Sequence, residues 1–496
     1  MLMSDFPPIG PYTPEKRMLI NGELVHSSTG AEFDNINPAT EEVLGQVADG
    51  SKEDMSRAIG AARNAFDNTD WSTNHKFRKH CLDQLQVALE SEKEQLRAEL
   101  VDEVGTPVML TYSAQLEWPL EDAFRWPANY IGSFEWERSL PDDMKLGSVS
   151  KRKVRKEALG VIGAVVPWNF PFEVTANKIG PILATGNTVV LKPAPDTPWN
   201  ATRLGRLIGE HTDIPAGVFN VVTSSDHLVG EELTLDPRVD MMSFTGSTRT
   251  GMRIMEKGAA TLKRVFLELG GKSAMIVCDD ADFALALPSV AGSCSHAGQG
   301  CVLQTRILLP RSRYAEGVAI LTAVMQNIPY GDPRNPGNLM GPQISQLQRT
   351  RVLEYIEKGK AEGANLVVGG GRPASQPKGW FVEPTLFIDV DNSMTIAQEE
   401  IFGPVLCVIP YDDDEDAIRI ANDSKYGLGV GVWSASLDRG MNIANRIRSG
   451  SASVNGGNWY GADAPYGGYK TSGIGRQNGI EGFNQHLETK LMGWTE

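Results

Sequence analysis

A chain of 496 residues is longer than one ordinary hydrophobic core can organise, so its length points to two or three domains. Hydrophobic residues at 41% and charged residues at 22% give the balance of a folded protein and argue against a disordered one. The formal net charge of -15 repels phosphate backbones and anionic lipid, so neither nucleic acid nor membrane is expected as a partner.

The N-terminal stretch MLMSDFPPIGPYTPEKR carries prolines and early charges without a continuous apolar core, so it does not read as a secretory signal. No window holds the roughly 18 uninterrupted apolar residues of a membrane-spanning helix. Residues 51–110 have helical texture. Ser51 is placed to cap a helix whose Met55, Ile59, Ala62 and Phe66 recur at three- and four-residue spacing. A second helical stretch runs from about Phe77 to Val104 and breaks near Gly105-Thr106-Pro107.

From about residue 158 the texture changes to short apolar runs: Val161 to Val166, Thr188 to Leu191, Val218 to Val222, Met241 to Phe244 and Val265 to Leu269. Helical segments such as Trp199 to His211 lie between several of them. That alternation predicts a parallel sheet covered on both faces. A second series follows from Ala274 to about Gly429, with strands expected at Ala274 to Val277, Ile307 to Leu309 and Leu366 to Val368. Two α/β domains are the economical reading, with a boundary near Gly270-Gly271.

The phosphate loops of nucleotide-binding proteins are missing. Gly271-Lys272-Ser273 resembles the end of a Walker loop, but Phe266 stands where its first glycine belongs. No GxGxxG opens a helix after a strand. Gly246-Ser247-Thr248-Arg249-Thr250-Gly251 does follow a strand, and its small residues would let a pyrophosphate approach a helix N-terminus. A plain strand–helix turn is the simpler account of that segment alone.

Three further residues stand out. Glu268 is a carboxylate inside the apolar run that ends in Gly270-Gly271; alternation would turn it to solvent, whereas burial would raise its pKa toward that of a general base. Cys301 follows Gly298-Gln299-Gly300, and a helix is expected after it, whose dipole would ease ionisation of the thiol. Pro167-Trp168-Asn169-Phe170-Pro171 is a rigid turn after a strand, in which Asn169 either caps structure or donates to an oxyanion. The other cysteines, Cys81, Cys278, Cys294 and Cys407, read as core or helical residues. With no CxxC pair and no clustered histidines, neither a disulfide framework nor a zinc site is expected, and the cytoplasm is the natural compartment.

Taken together, these segments resemble the aldehyde dehydrogenase superfamily, in order and across nearly the whole chain. The resemblance includes Pro167 to Pro171, Lys192-Pro193, Pro215 to Asn220, Phe244 to Gly251, Glu268 to Lys272, Gly298 to Cys301, Glu399 to Pro404, and Pro465 to Lys470 with Ser472-Gly473. It implies an α/β fold: a Rossmann-like NAD-binding domain (1–143 and 158–268), an α/β catalytic domain (269–480) and a small β oligomerisation element (144–157 and 481–496). It also implies NAD(P)-dependent oxidation of an aldehyde to its acid. Cys301 would be the nucleophile, Asn169 and the Cys301 backbone N–H the oxyanion donors, Glu268 the base for hydrolytic water, and Lys178 a supporting residue.

For the cofactor the resemblance implies Lys192 and Glu400 at ribose hydroxyls, Ser247 at the pyrophosphate, Phe402 near the nicotinamide ribose, and Gly246 at the strand end. Val166, Pro167, Trp168, Pro195 and Leu269 would complete that site. Pro195 and Asp196 stand where many NAD-preferring members hold a ribose-binding glutamate, so NADP is not excluded. The substrate tunnel would be lined by Phe170, Glu173, Asn177, His296, Leu303, Trp459 and Tyr466, a mixed wall that suits a moderately polar or aromatic aldehyde. Ser295, His296 and Gln477 depart from common family residues. A homodimer or homotetramer is implied, joined through strands near Ser148 to Lys156 and Leu487 to Trp494. Two rivals are a coenzyme A-acylating enzyme, whose members generally lack the carboxylate present here as Glu268, and a non-catalytic protein on the same fold.

Overall fold

The computed structural model describes residues 7–495. Residues 1–6, which begin the N-terminal stretch read above as no secretory signal, and residue 496 lie outside the described residues.

The first apolar series forms an eight-stranded sheet. Its spatial order is Glu23–Val25, Met18–Ile20, Phe219–Val221, Thr188–Lys192, Val161–Val165, Met241–Thr245, Arg264–Glu268 and Gly473–Ile474. The strands from Phe219–Val221 to Arg264–Glu268 run parallel, and antiparallel strands close both edges. Alternation along each strand feeds two cores. Ile162 and Ala164 pack with Leu82, Leu204 and Ile179, whereas Val161 packs with Met55, Ile59 and Ala62. Ser51 caps Lys52–Asn68 through a reciprocal box with Asp54, and that helix buries Met55, Ile59 and Ala62 as expected, with Phe66 only half-buried. The second helical stretch divides at Glu92 into His75–Ser91 and Lys93–Val104, and it ends at Gly105 in a left-handed conformation. The helix Trp199–His211 has the expected bounds.

The chain builds this sheet outward from Val161–Val165 through Thr188–Lys192 to Phe219–Val221. It then returns to place Met241–Thr245 on the other side of Val161–Val165. At such a reversal the connections leave in opposite directions and open a crevice beyond the strand ends. Pro167 to Phe170, Gly246-Ser247 and Glu268 all emerge there.

The second series forms a seven-stranded sheet ordered Asn365–Val368, Thr385–Ile388, Val405–Tyr411, Gln304–Pro310, Ser273–Val277, Gly429–Trp433 and Ser451–Val454. All but the Asn365–Val368 edge are parallel. Alternation again sends Ala274 and Ile276 to one core and Met275 and Val277 to the other. A third sheet pairs Ser150–Ala158 with Leu487–Thr495 on one side and Glu137–Asp143 on the other, all antiparallel. Among the described residues no helix is long and apolar enough to cross a membrane, and no group of three His, Cys, Asp or Glu side chains is placed to hold a metal.

Candidate active site

The first sheet contributes two of the three expected catalytic side chains. After Val161–Val165, the Val166 N–H donates to Lys192 O at 3.2 Å, and the Pro-bounded turn leads into the helix Pro171–Ala184 with Pro171 in its first turn. Asn169 is clamped inside that turn. Its backbone oxygen accepts from Gln115 Nε2 at 2.9 Å, and its Nδ2 donates to Gln299 O at 2.9 Å. One amide hydrogen is thereby used, and a second remains for another acceptor.

Glu268 ends the strand Arg264–Glu268 and does not turn to solvent, being only 3% exposed. Among the described residues neither carboxylate oxygen meets a hydrogen-bond partner. Burial pushes its pKa up to about 8, opposed by the charges of Lys178 and Arg476. Space for it is made by Gly467, where an added Cβ would come within 2.9 Å of Glu268 Oε1.

Cys301 arrives from the other sheet. His296, Ala297 and Gly298 all have left-handed backbones (φ 52°, 55° and 71°), and a Cβ on Gly298 would stand 2.2 Å from Gly403 O. No helix follows Cys301. A turn leads directly into the strand Gln304–Pro310, which overturns the expected helix dipole. Ionisation is not eased either, since burial pushes the thiol up to about 12, with the Tyr466 hydroxyl opposing the shift. Tyr466 Oη lies 3.4 Å from Sγ. That tyrosine is held by reciprocal backbone bonds of 2.7 Å with Gln477, and its ring stacks on Trp459 at 5.4 Å.

Cys301, Asn169 and Glu268 line one cavity of about 710 Å³. Phe170, Glu173, Leu303, Trp459 and Tyr466 occupy its walls as expected. Pro167, Trp168, Gly246, Ser247, Leu269, Glu400 and Phe402 also line it. Glu400 Oε1 accepts the Gly271 N–H at 2.9 Å, and a Cβ on Gly270 would come within 2.2 Å of Oε2, so glycine is required there. Burial raises the Glu400 carboxyl to about 7. Phe402 meets Trp168 edge-on at 5.4 Å, and its backbone oxygen accepts from Gln348 Nε2 at 2.8 Å.

A second cleft of about 830 Å³ lies on the other side of the Phe244 to Thr250 segment, lined by Lys192, Phe244, Arg249 and Thr250 among others. Ser247 caps the helix Thr248–Gly258 between the two cavities. Lys192 Nζ donates to Ser224 O at 3.1 Å and Pro193 O at 3.3 Å, and burial brings it down to about 8.

Five expected residues line neither cavity. Lys178 is buried beneath the wall, where Nζ donates to Ser243 Oγ at 3.2 Å and lies 4.4 Å from the centre of the Phe266 ring. It reaches Glu268 only through its field, and burial brings it down to about 7. Asn177 donates to Glu173 Oε1 at 2.7 Å and lines a small adjoining pocket, and His296 is 1% exposed with its ring edge-on to Phe170, behind the cavity wall. Burial holds His296 neutral, at about 4. Val166 is buried in the first core, and Pro195 sits in the turn after Lys192, outside the cleft.

The cavity also contains side chains that sequence reasoning passed over: Trp118, Thr245, Arg351 and Tyr460, together with Gln477, which had been given no role. Tyr460 had a readable signal as the neighbour of Trp459 in a polar, glycine-rich loop. Trp118 and Arg351 are helical residues with nothing local to distinguish them.

The model of the aldehyde dehydrogenase family matches residues 24–492, and the chain belongs to that family. A Mycobacterium tuberculosis aldehyde dehydrogenase solved with NAD+ is 41% identical, superposes with a TM-score of 0.92, and is matched over 97% of this chain and 98% of that one. A Staphylococcus aureus betaine aldehyde dehydrogenase with NAD+ is 35% identical at a TM-score of 0.94, over 97% and 95% of the two chains. A P. syringae indole-3-acetaldehyde dehydrogenase mutant, solved with NAD+ and IAA, is 36% identical at a TM-score of 0.93, over 98% and 97%. These relatives confirm the expected α/β fold.

Proposed function

We propose that this chain is an NAD+-dependent dehydrogenase that oxidises an aldehyde to its carboxylic acid through a thioester on Cys301. The observation that carries the reading is one cavity lined by Cys301, Asn169, Glu268, Gly246 and Ser247, with Phe244, Arg249 and Thr250 on either side of that Gly-Ser pair lining a second cleft. The residues there suit a dinucleotide. A helix N-terminus between the cavities favours the pyrophosphate beside Ser247, and Lys192 and Glu400 flank it at the two ribose positions. NAD+, when bound, supplies the hydride acceptor. Phe402 and Leu269 would bound the nicotinamide end.

The thiol of Cys301 gives its proton to solvent water, and its sulfur forms a bond to the aldehyde carbon. The carbonyl oxygen becomes an oxyanion, steadied by the free Asn169 amide hydrogen and the Cys301 backbone N–H. Collapse of that oxyanion expels hydride from carbon and leaves a thioester. Glu268 then takes a proton from water, whose oxygen adds to the acyl carbon. The carbon–sulfur bond breaks, giving acid and restoring the thiol. A carboxyl with no hydrogen-bond partner and a pKa of about 8 suits that base.

Replacing Cys301 tests the reading. Cys301→Ala should lower kcat/KM by about 10³-fold or more while NAD+ still quenches tryptophan fluorescence. Retained turnover would refute the nucleophile, and NADP+ in parallel assays decides the cofactor. We also propose a cytoplasmic homodimer or homotetramer. Among the described residues the outer edge of Leu487–Thr495 has no partner strand, and Leu491 and Trp494 are exposed along it. Sedimentation showing only monomer would contradict the assembly.

A further inference from the structure

The end of the cavity away from Glu400 holds a carboxylate that the chemistry above does not use. Glu173 lies two residues into the helix Pro171–Ala184, on the cavity wall. Only its Oε1 is engaged, accepting from Asn177 Nδ2 at 2.7 Å and Tyr460 Oη at 3.0 Å. Oε2 accepts from none of the described residues. Three aromatic residues line the same cavity here: Trp118, Trp459 and Tyr460. Tyr460 packs against both tryptophans, each at 6.3 Å between ring centroids.

The charges around this end share one sign. Trp118 and Tyr460 also line a smaller adjoining pocket of about 170 Å³, whose other walls include Glu121 and Asp122. Of the two cavities' lining residues, Arg351 is the one cation, and it bonds to the Glu400 backbone at the opposite end. Arg125, which acts on Asp122, is already paired with Glu90. Lys178, on the same helix, donates to Ser243 and acts on Glu173 through its field without bonding to it.

A carboxylate walled by aromatic rings, with both its hydrogen bonds on one oxygen and no cation bonded to it, recovers only part of its desolvation cost. An ammonium answers both features at once, as an ion-pair partner for the carboxylate and as a charge attracted to the rings. Burial holds Glu173 at about 7, and a cation beside it would draw it back toward the ionised form.

We propose that the aldehyde oxidised here carries a protonated amine, received by Glu173 among Trp118, Trp459 and Tyr460. The proposal rests on the dehydrogenase reading of the Cys301 cavity and specifies its substrate class. Glu173 would set specificity by holding the amine, while taking no part in bond making.

The test compares three short aldehydes with NAD+: 3-aminopropanal, the neutral butanal and the anionic succinic semialdehyde. The expected order of kcat/KM is 3-aminopropanal over butanal by at least about tenfold, with succinic semialdehyde last. In Glu173→Gln the ratio of 3-aminopropanal to butanal should collapse toward one, mostly through KM for the amine. If wild type turns over butanal or succinic semialdehyde as well as the amine, the proposal is overturned while the dehydrogenase reading stands. A preference unchanged in Glu173→Gln overturns the role of Glu173. NADH formation with none of the three is a different failure, settled by whether iodoacetamide labels Cys301 ahead of the other cysteines; if it does not, the Cys301 reading itself falls. Should the variant not fold, the wild-type order alone decides.

Discussion

Two buried carboxylates of this molecule, Glu99 and Glu268, stand in opposite surroundings. In the helix Lys93–Val104, Glu99 is fully buried yet accepts from Arg203 Nε at 2.9 Å, Arg203 Nη2 at 2.6 Å and Asn200 Nδ2 at 3.0 Å. Arg203 also reaches Glu92, so that both charges of the pair have partners. At the cavity, Glu268 is buried to a similar degree with neither oxygen bonded. The first arrangement holds helices together. The second leaves a proton acceptor unsatisfied, which costs stability and is worth retaining only if something arrives to use it.

The comparison breaks first at Glu268 if its pH behaviour is wrong. Its pKa is raised above the unfolded value, so the ionised, proton-accepting form is scarce below about 8 and dominant above it. Single-turnover deacylation should therefore climb by about tenfold per pH unit up to pH 8 and then level off. A flat profile from pH 6 to 9 would remove Glu268 as the base. Stability has the opposite sign: ionising Glu268 costs the folded state as pH rises toward 8, so Glu268→Gln should gain melting temperature over wild type more at pH 9 than at pH 6.

A smaller effect sharpens the other side. Arg203→Met would strand Glu99 in the core without its cation, at an expected cost of about 3–5 kcal/mol in urea unfolding. A loss under about 1 kcal/mol would mean that the two regions differ less than their hydrogen bonds imply. The smallest change concerns Tyr466, whose hydroxyl is the side-chain group bonded to the Cys301 thiol. Tyr466→Phe should move the thiol titration to higher pH and slow iodoacetamide alkylation at pH 8 severalfold. Unchanged alkylation would show that the 3.4 Å contact does not bear on ionisation.

Much of this arrangement was legible in the sequence, because apolar runs and glycines mark strand ends directly. The runs at Val161, Thr188, Met241 and Val265 became adjacent strands, and the collinear motifs around Asn169, Glu268 and Cys301 converge on one cavity. What failed was local inference about Cys301. Its preceding glycines suggested a helix start, but the left-handed run from His296 to Gly298 turns the chain into a strand. Side-chain direction was also hidden. Helix Pro171–Ala184 presents Glu173 to the cavity while Asn177, one turn later, lines only the small adjoining pocket. The antiparallel strands Met18–Ile20 and Gly473–Ile474 are too short to read before their partners are known.

The most direct measurement is the intact mass of Glu268→Gln after mixing with aldehyde and NAD+. A thioester that cannot be hydrolysed should appear as one added acyl group, and peptide mapping should place it on Cys301. Normal turnover with no adduct, or an acyl group on another cysteine, would contradict the account.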